Sequence, residues 1–554
     1  MPLTNMINRI LLCILLTGSS LSVFAQAPES PRLVVGIVVD QMRHEYLYRY
    51  YNKYGEGGFK RLMGEGFVLK NAHYNYTPTY TGPGHASVYS GSTPALHGII
   101  ANDFYDRLAR RKVNCVEDSR FKPVGNEAGN GDVAPSRLQT TTITDELKLF
   151  TQKKAKVVSI SCKDRGAVLP GGHMADAAYW YDVKTGKFIT STFYMAKLPT
   201  WLDKFNEKKL ADKYLSQTWN TLYPIEQYTE SGPDDSPYEQ KFRGKQKSVF
   251  PYDLKELRKT NGEFDFLIST PFANDYLIDM ANAAIDGESL GKNTVTDFLA
   301  ISFSTTDYVG HAFGANSVEL EDIYIRLDKA LETLLKSLDE KVGRNNYTLF
   351  LTADHAVAEN PQYLRDSKVP GGYFSEANVR ANLEAYLLKF FPGREIIEDM
   401  SNEQIFLNTA AFQGDPRTSG VDIIIATELI TKYLMAMEGV ANVYSEANLR
   451  QANYTEGGIK GMYVRGYHPK RSGDIVIVME PGYFEAVKIQ GTTHGSPYTY
   501  DTHVPVLFFG KGIKKGFSTL YHPITDIAPT LSVLLNIKFP SGCTGQPIRE
   551  ILEE

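Results

Sequence analysis

Cysteine is scarce in this chain, with four in 554 residues. Cys13 falls inside an N-terminal apolar run, which leaves Cys115, Cys162 and Cys543, an odd number that permits one disulfide at most. No two of them form a CxxC pair, which excludes zinc held by thiolates, so any bound metal must use histidine and carboxylate. Charge of one sign is also lacking. The 59 Lys and Arg nearly balance the 64 Asp and Glu, for a net charge of −5, and no basic stretch is long enough to expect nucleic acid as a partner. There is no long apolar run either. Ile10 to Leu16 is broken off by Thr17, Gly18, Ser19 and Ser20, too early for a membrane span. Internal repeats, low-complexity tracts and convincing linkers are missing as well.

What is present at the N-terminus reads as an export signal. Arg9 precedes the apolar run, and Val23-Phe24-Ala25 offers small residues for cleavage before Gln26. Residues 1–25 are therefore expected to be removed after about Ala25, and the mature protein to be periplasmic or secreted. About 530 residues remain, with 42% apolar and 22% charged residues overall, the balance of a soluble globular protein.

Continuous β-branched runs predict buried parallel strands at Leu33–Val39, Lys156–Ser161, Asp297–Phe303 and Thr348–Leu351, with a fifth strand at Val504–Phe509. Apolar residues at helical spacing predict a helix over Val318–Leu338. Strands alternating with helices indicate an α/β fold: a central, mostly parallel sheet with helices on both faces. Residues 200–275 and 365–465 fit the alternation poorly and are expected to be insertions that cap a single domain spanning 26–554. Each of the four parallel strands runs into polar residues: Asp40; then Lys163, Asp164 and Arg165; then Thr305, Thr306 and Asp307; then Asp354 and His355. Open parallel sheets bind ligands at those carboxyl ends.

The acids and histidines sort into a metal-binding set. Asp307 and His311 are four apart, so a helical turn places both on one face. Asp354-His355 follows a strand directly, His494 sits among small neighbours in Gly491-Thr492-Thr493-His494-Gly495-Ser496, and Asp40 ends the first strand. Imidazole and carboxylate without thiolate suit catalytic zinc. A candidate nucleophile, Thr81, precedes Gly82-Pro83-Gly84, a turn that can open a helix whose N–H groups favour phosphate. The competing reading makes Thr81 only an N-cap. Threonine needs a base or metal before it attacks anything, and the nearby acids and histidines would hold that metal. His85 and His97 are expected to make local hydrogen bonds, and His73, His468 and His522 have no assigned partner.

Taken in order, these motifs resemble the alkaline phosphatase superfamily, and within it the bacterial PafA-type branch with a threonine nucleophile. The resemblance is carried by Val38-Val39-Asp40, Thr81-Gly82-Pro83-Gly84-His85, His97-Gly98-Ile99-Ile100-Ala101-Asn102, Lys163-Asp164-Arg165-Gly166, Thr306-Asp307-Tyr308-Val309-Gly310-His311, Thr352-Ala353-Asp354-His355, Thr493-His494-Gly495 and a closing Thr525-Asp526-Ile527-Ala528-Pro529-Thr530. It implies an alkaline-phosphatase-like fold and two zinc ions, one held by Asp307, His311 and His494, the other by Asp40, Asp354, His355 and the Thr81 oxygen. Such pairs sit ~3.5–4 Å apart and clamp both oxygens of an in-line displacement. It further implies Thr81 as nucleophile through a phosphothreonine. Asn102, Lys163 and Arg165 become donors to the phosphoryl oxygens, a set that favours monoesters over diesters. Expected substrates are small phosphate monoesters of broad range, met by a monomer.

Rival families use the same residues differently. A phosphodiesterase or nucleotide pyrophosphatase shares the metal ligands, but its branch is expected to lack the Lys-x-Arg pair. A formylglycine sulfatase needs a Cys or Ser followed by x-Pro-x-Arg, which no mature cysteine has. A phosphoglycerate mutase is disfavoured by the export signal and the threonine, and a non-catalytic relative by the presence of every expected site residue.

Overall fold

The computed structural model describes residues 30–126, 131–412, 419–485 and 489–552; the expected leader, 1–25, lies outside them. Ten strands form one sheet: β1 (Leu33–Val39), β2 (Phe67–Leu69), β3 (Pro123–Val124), β4 (Val157–Ser161), β5 (Ala177–Asp182), β6 (Lys187–Ser191), β7 (Asp297–Phe303), β8 (Tyr347–Thr352), β9 (Val506–Gly510) and β10 (Gly516–Ser518), in the order β10-β2-β9-β8-β1-β7-β4-β5-β6-β3. The five central strands, β8-β1-β7-β4-β5, are all parallel. β9 runs antiparallel to β8, and β6 antiparallel to β5. All seven residues of β1 are buried, and since side chains alternate in direction, both faces of the sheet must be covered. The fold is thus α/β with a mostly parallel sheet between helices. The predicted strands are present within a residue or two, and the predicted helix is α4 (Val318–Leu338), capped by the Ser317 hydroxyl accepting from the Leu320 N–H at 3.1 Å.

Strand register brings the acids to one edge. Val38 lies level with Ser302 of β7 and Thr352 of β8, so the three central strands end together. Asp40, Asp307 and Asp354 emerge from these adjacent strand ends.

The two irregular stretches behave differently. Within 200–275, Leu202, Phe205, Trp219, Tyr252 and Leu254 belong to the main hydrophobic core, and the Trp219 indole donates to Asp322 on α4 at 2.7 Å. A separate antiparallel sheet, in the order Ile397–Ser401, Gln404–Leu407, Ile475–Met479, Val440–Ser445, packs with helices Glu376–Leu387 and Ser419–Met435 around its own apolar cluster. This sheet takes in Ile475–Met479, beyond residue 465. Among the described residues no helix is long and apolar enough to cross a membrane, and Cys115, Cys162 and Cys543 are all free thiols.

Candidate active site

Thr81 is the first residue of α1 (Thr81–Ser90), and the N-cap position belongs to the extended Tyr80, so the N-cap reading of Thr81 does not hold. The turn permits close approach. A Cβ on Gly84 would come within 2.2 Å of the Asp354 carbonyl oxygen, so only glycine lets α1 lie against the end of β8. The helix start is partly committed: Gly82 donates to Asn102 Oδ1 at 2.7 Å, Gly84 donates to the Tyr80 carbonyl at 2.8 Å, and Pro83 has no N–H, which narrows the expected anion-facing set of α1 to the N–H of Thr81. What the Gly82 bond achieves is different. It fixes the Asn102 amide by its oxygen and leaves the NH₂ end to donate.

Asp307 and His311 share one face of α3 (Thr305–Phe313), with His311 Nε2 3.1 Å from Asp307 Oδ1. His494 Nε2 lies 3.6 Å from the same oxygen. His355 Nε2 is 3.4 Å from Asp40 Oδ1, 3.8 Å from Asp354 Oδ2 and 3.5 Å from the Thr81 hydroxyl. Each of these three imidazoles donates Nδ1–H to a backbone carbonyl: His311 to Thr492 at 2.8 Å, His355 to Ala356 at 2.9 Å, His494 to Thr79 at 2.7 Å. With Nδ1 protonated by that bond, the neutral form of each ring turns its Nε2 lone pair toward the acids, the tautomer a metal needs, while, against burial, Asp307 raises the His311 pKa.

The donor atoms fit cations. In two trios, Asp307/His311/His494 and Asp40/Asp307/His355, all ligand atoms lie within 4.8 Å of one another. Asp307 therefore borders both positions, and Asp354 Oδ2 lies 3.8 Å from His355 Nε2 of the second trio. Asp40 Oδ1 and Asp354 Oδ2 are buried with no hydrogen-bond donor, an arrangement that costs free energy unless a positive charge completes it. Burial, then the charges of Asp307 and Asp354, raises the Asp40 pKa well above the carboxylate range, and burial raises Asp354 to about 7. Burial also acts against ionisation of Asp307, but His311, Lys163 and His494 outweigh it and hold Asp307 well below its usual value. Burial lowers His355 and His494, keeping both neutral and able to ligate.

The expected phosphate donors converge here. Lys163 Nζ sits between Asp40 Oδ2, at 2.7 Å, and Asp307 Oδ2, at 2.6 Å, with the Tyr308 ring 5.0 Å away. Burial works against its charge, yet the two acids raise its pKa and keep it an ammonium. Arg165 is buried at Nε without an acceptor there, and its NH1 is 3.9 Å from Asp164, so its guanidinium retains donors for a ligand.

One participant had no motif to announce it. Gln41, at φ +66°, donates from its amide to Asp307 Oδ1 at 2.7 Å and from its backbone to Asp354 Oδ1 at 3.2 Å, tying the ends of β7 and β8 together. His85 donates to the Thr81 carbonyl at 2.9 Å and meets Ser302 Oγ at 2.8 Å, and His97 meets Ser87 Oγ at 2.9 Å, the local bonds expected of both. His73, His468 and His522 lie outside the acid cluster, beside Thr502, Gln139 and Asp526 respectively.

Comparison with known proteins agrees with this geometry. Residues 34–503 match the family described as type I phosphodiesterase / nucleotide pyrophosphatase. A protein of Synechococcus elongatus called alkaline phosphatase PhoV is 45% identical over 96% of this chain and 95% of its own. One of Myroides odoratus called a calcium-transporting ATPase is 44% identical over 95% of each. The crystal structure of wild-type alkaline phosphatase PafA superimposes with a TM-score of 0.91 at 42% identity, covering 95% of this chain and 100% of that one. The chain belongs to the type I phosphodiesterase / nucleotide pyrophosphatase family and is, within the alkaline phosphatase superfamily, an alkaline phosphatase of the PafA type.

Proposed function

We propose that the protein is an exported, zinc-dependent hydrolase of broad range for phosphate monoesters, working through a phosphothreonine on Thr81. The observation that carries this reading is the set of three imidazoles, each anchored at Nδ1, turning Nε2 toward buried carboxylates beside the Thr81 hydroxyl. Asp307, His311 and His494 would hold one zinc ion, and Asp40, Asp354 and His355 with the Thr81 oxygen the other. Bound zinc supplies Lewis acidity, lowering the threonine hydroxyl pKa and neutralising charge on the departing oxygen.

The chain's own groups do the rest. Thr81 Oγ attacks phosphorus as the ester oxygen leaves, and water then cleaves phosphothreonine to return Thr81 and free phosphate. Two in-line displacements retain configuration at phosphorus. The Asn102 NH₂, Lys163 ammonium and Arg165 guanidinium meet the non-bridging oxygens, whose charge grows toward the transition state. A monoester dianion offers three such oxygens and a diester only two, so these donors favour the monoester. His85, neutral because burial lowers its pKa to about 3, holds the Thr81 carbonyl and hence the start of α1.

Kinetics on a chromogenic monoester and its matched diester, with metal content measured on the same sample, test the reading. The expected result is two zinc ions per chain and a monoester preference of several orders of magnitude. A diester preference, or full activity without zinc, would falsify it.

A further inference from the structure

Gln41 bonds two of the three buried acids at once. It follows Asp40 at the end of β1, and β1 lies between β7 and β8 in the sheet. Its backbone N–H donates to Asp354 Oδ1, just past β8, at 3.2 Å. Its amide Nε2 donates to Asp307 Oδ1, just past β7, at 2.7 Å. Backbone and side chain of one buried residue thereby orient carboxyl groups on both sides of the central strand.

Three features mark this placement as one the fold maintains against local cost. The Gln41 backbone is left-handed, at φ +66°, a conformation that a Cβ makes unfavourable. Its Oε1 is buried and, among the described residues, accepts no hydrogen bond, so one end of the amide stays unsatisfied while the other reaches Asp307. Gly310, between Asp307 and His311 on α3, supplies the room. A Cβ there would stand 1.8 Å from Gln41 Oε1 and 2.9 Å from Cδ. Strain of this kind persists only where the surrounding structure demands it, and it gathers at functional sites.

The two oxygens of Asp307 keep different company. Oδ2 meets the Lys163 ammonium at 2.6 Å. Oδ1 faces His311 Nε2 at 3.1 Å and His494 Nε2 at 3.6 Å, beside the Gln41 amide. A carboxylate oxygen has more than one lone pair, so Oδ1 can accept from Gln41 and still face a cation among those imidazoles. Gln41 is neutral and orients the carboxylate without cancelling its charge. A lysine or arginine in its place would compete with a metal for the same oxygen.

Resting on the metal-dependent hydrolase reading, we propose that Gln41 is a positioning residue for the metal centre: it aims Asp307 Oδ1 at the position formed with His311 and His494, and Gly310 is the seat that lets its amide do so. The residue sets how tightly that one ion is held and takes no part in making or breaking bonds at phosphorus.

The test is zinc affinity, read by competition with a chromogenic chelator on the full chain. Gln41→Met keeps the size of the side chain and removes the donor, so one of the two ions should bind about 10–100-fold more weakly while the other is unchanged. Visible absorption of the cobalt-substituted variant should change at one ion only. Gly310→Ala, whose added methyl displaces the amide, should give the same loss, and the double variant no more than either alone. Thr142→Ala, which removes the cap of the helix Ile143–Phe150, should lower Tm and leave both affinities as they are, separating positioning from general destabilisation. If Gln41→Met does not fold, Gln41→Gly, which suits the left-handed backbone, carries the same comparison. Unchanged affinities for both ions in the Gln41 variant overturn the proposal and leave the hydrolase reading standing, because no substrate is present. Fully additive losses in the double variant overturn the role given to Gly310. Wild-type protein that binds no zinc takes down both readings together.

Discussion

At the scale of single residues, the site depends on side chains whose charges are unstable apart. Asp40, Asp307 and Asp354 are buried together, and Lys163, the neighbouring histidines and a bound metal would make that arrangement tolerable. Thr81→Ala removes one hydroxyl and no charge, so turnover should fall by roughly four orders of magnitude or more while both metals remain, as read by steady-state rates and metal analysis. Undiminished turnover would remove Thr81 from the reaction. Replacing Lys163 and Arg165 together with alanine should lower monoester kcat/KM at least ~100-fold more than diester kcat/KM. Equal losses on the two substrates would mean that these cations serve the fold and not the third phosphoryl oxygen.

At the scale of elements, α4 carries a second charge problem far from the sheet edge. Glu319 is fully buried and accepts from the Tyr252 hydroxyl, and Glu239, Asp234 and Asp322 lie around it. Burial is the main cause that raises its pKa to about 8, against 4.5 for an ordinary glutamate. The folded protein therefore binds a proton that the unfolded chain releases above pH 4.5. Stability from this group is full below 4.5 and drains away as pH rises through 8. Glu319→Gln, which is always neutral, should lose less stability than the wild type between about pH 5 and 8, the difference being on the order of 1 kcal/mol per pH unit. Denaturant titrations at several pH values read it, and parallel slopes would show that Glu319 is already ionised in the fold.

Elements were legible in the sequence where one physical signal dominated. Strands β1, β4, β7 and β8 are buried on both faces, so they appear as continuous apolar runs, and α4 shows its stripe over 21 residues. β5 and β6 were not seen. Ala177–Asp182 mixes aromatic and small residues with a buried Asp182, and its identity as a strand comes from pairing with β4, which local sequence does not encode. The same division holds in the site. Asp40, Asp307, His311, Asp354, His355 and His494 stand in recognisable neighbourhoods, and the fold brings them together. Gln41 has no such mark, because its role arises from a left-handed backbone beside two strands distant in sequence. A Cβ on Gly310 would fall 1.8 Å from the Gln41 amide oxygen, another contact visible only in three dimensions.

At the scale of the whole molecule, metal sites and fold are one equilibrium. The proposed ligands come from the ends of β1, β7 and β8, from α3 and from the loop at His494, so an ion that binds them would stabilise only the assembled sheet. Thorough chelation should abolish hydrolysis and lower Tm together, and zinc should restore both. A ligand at a thousandfold excess over its Kd contributes about 4 kcal/mol. Loss of activity with an unmoved Tm would place the ions outside the framework that joins these strands.

The innermost strand of the sheet is synthesised first, yet its partners β7 and β8 are made hundreds of residues later, and the His494 imidazole later still. Contacts this remote along the chain form slowly and only together. On the proposed reading, a growing polypeptide thus carries Thr81 long before the residues that would hold a metal are complete. The order of synthesis itself would then keep the chain from acting on phosphate esters until translation has nearly ended.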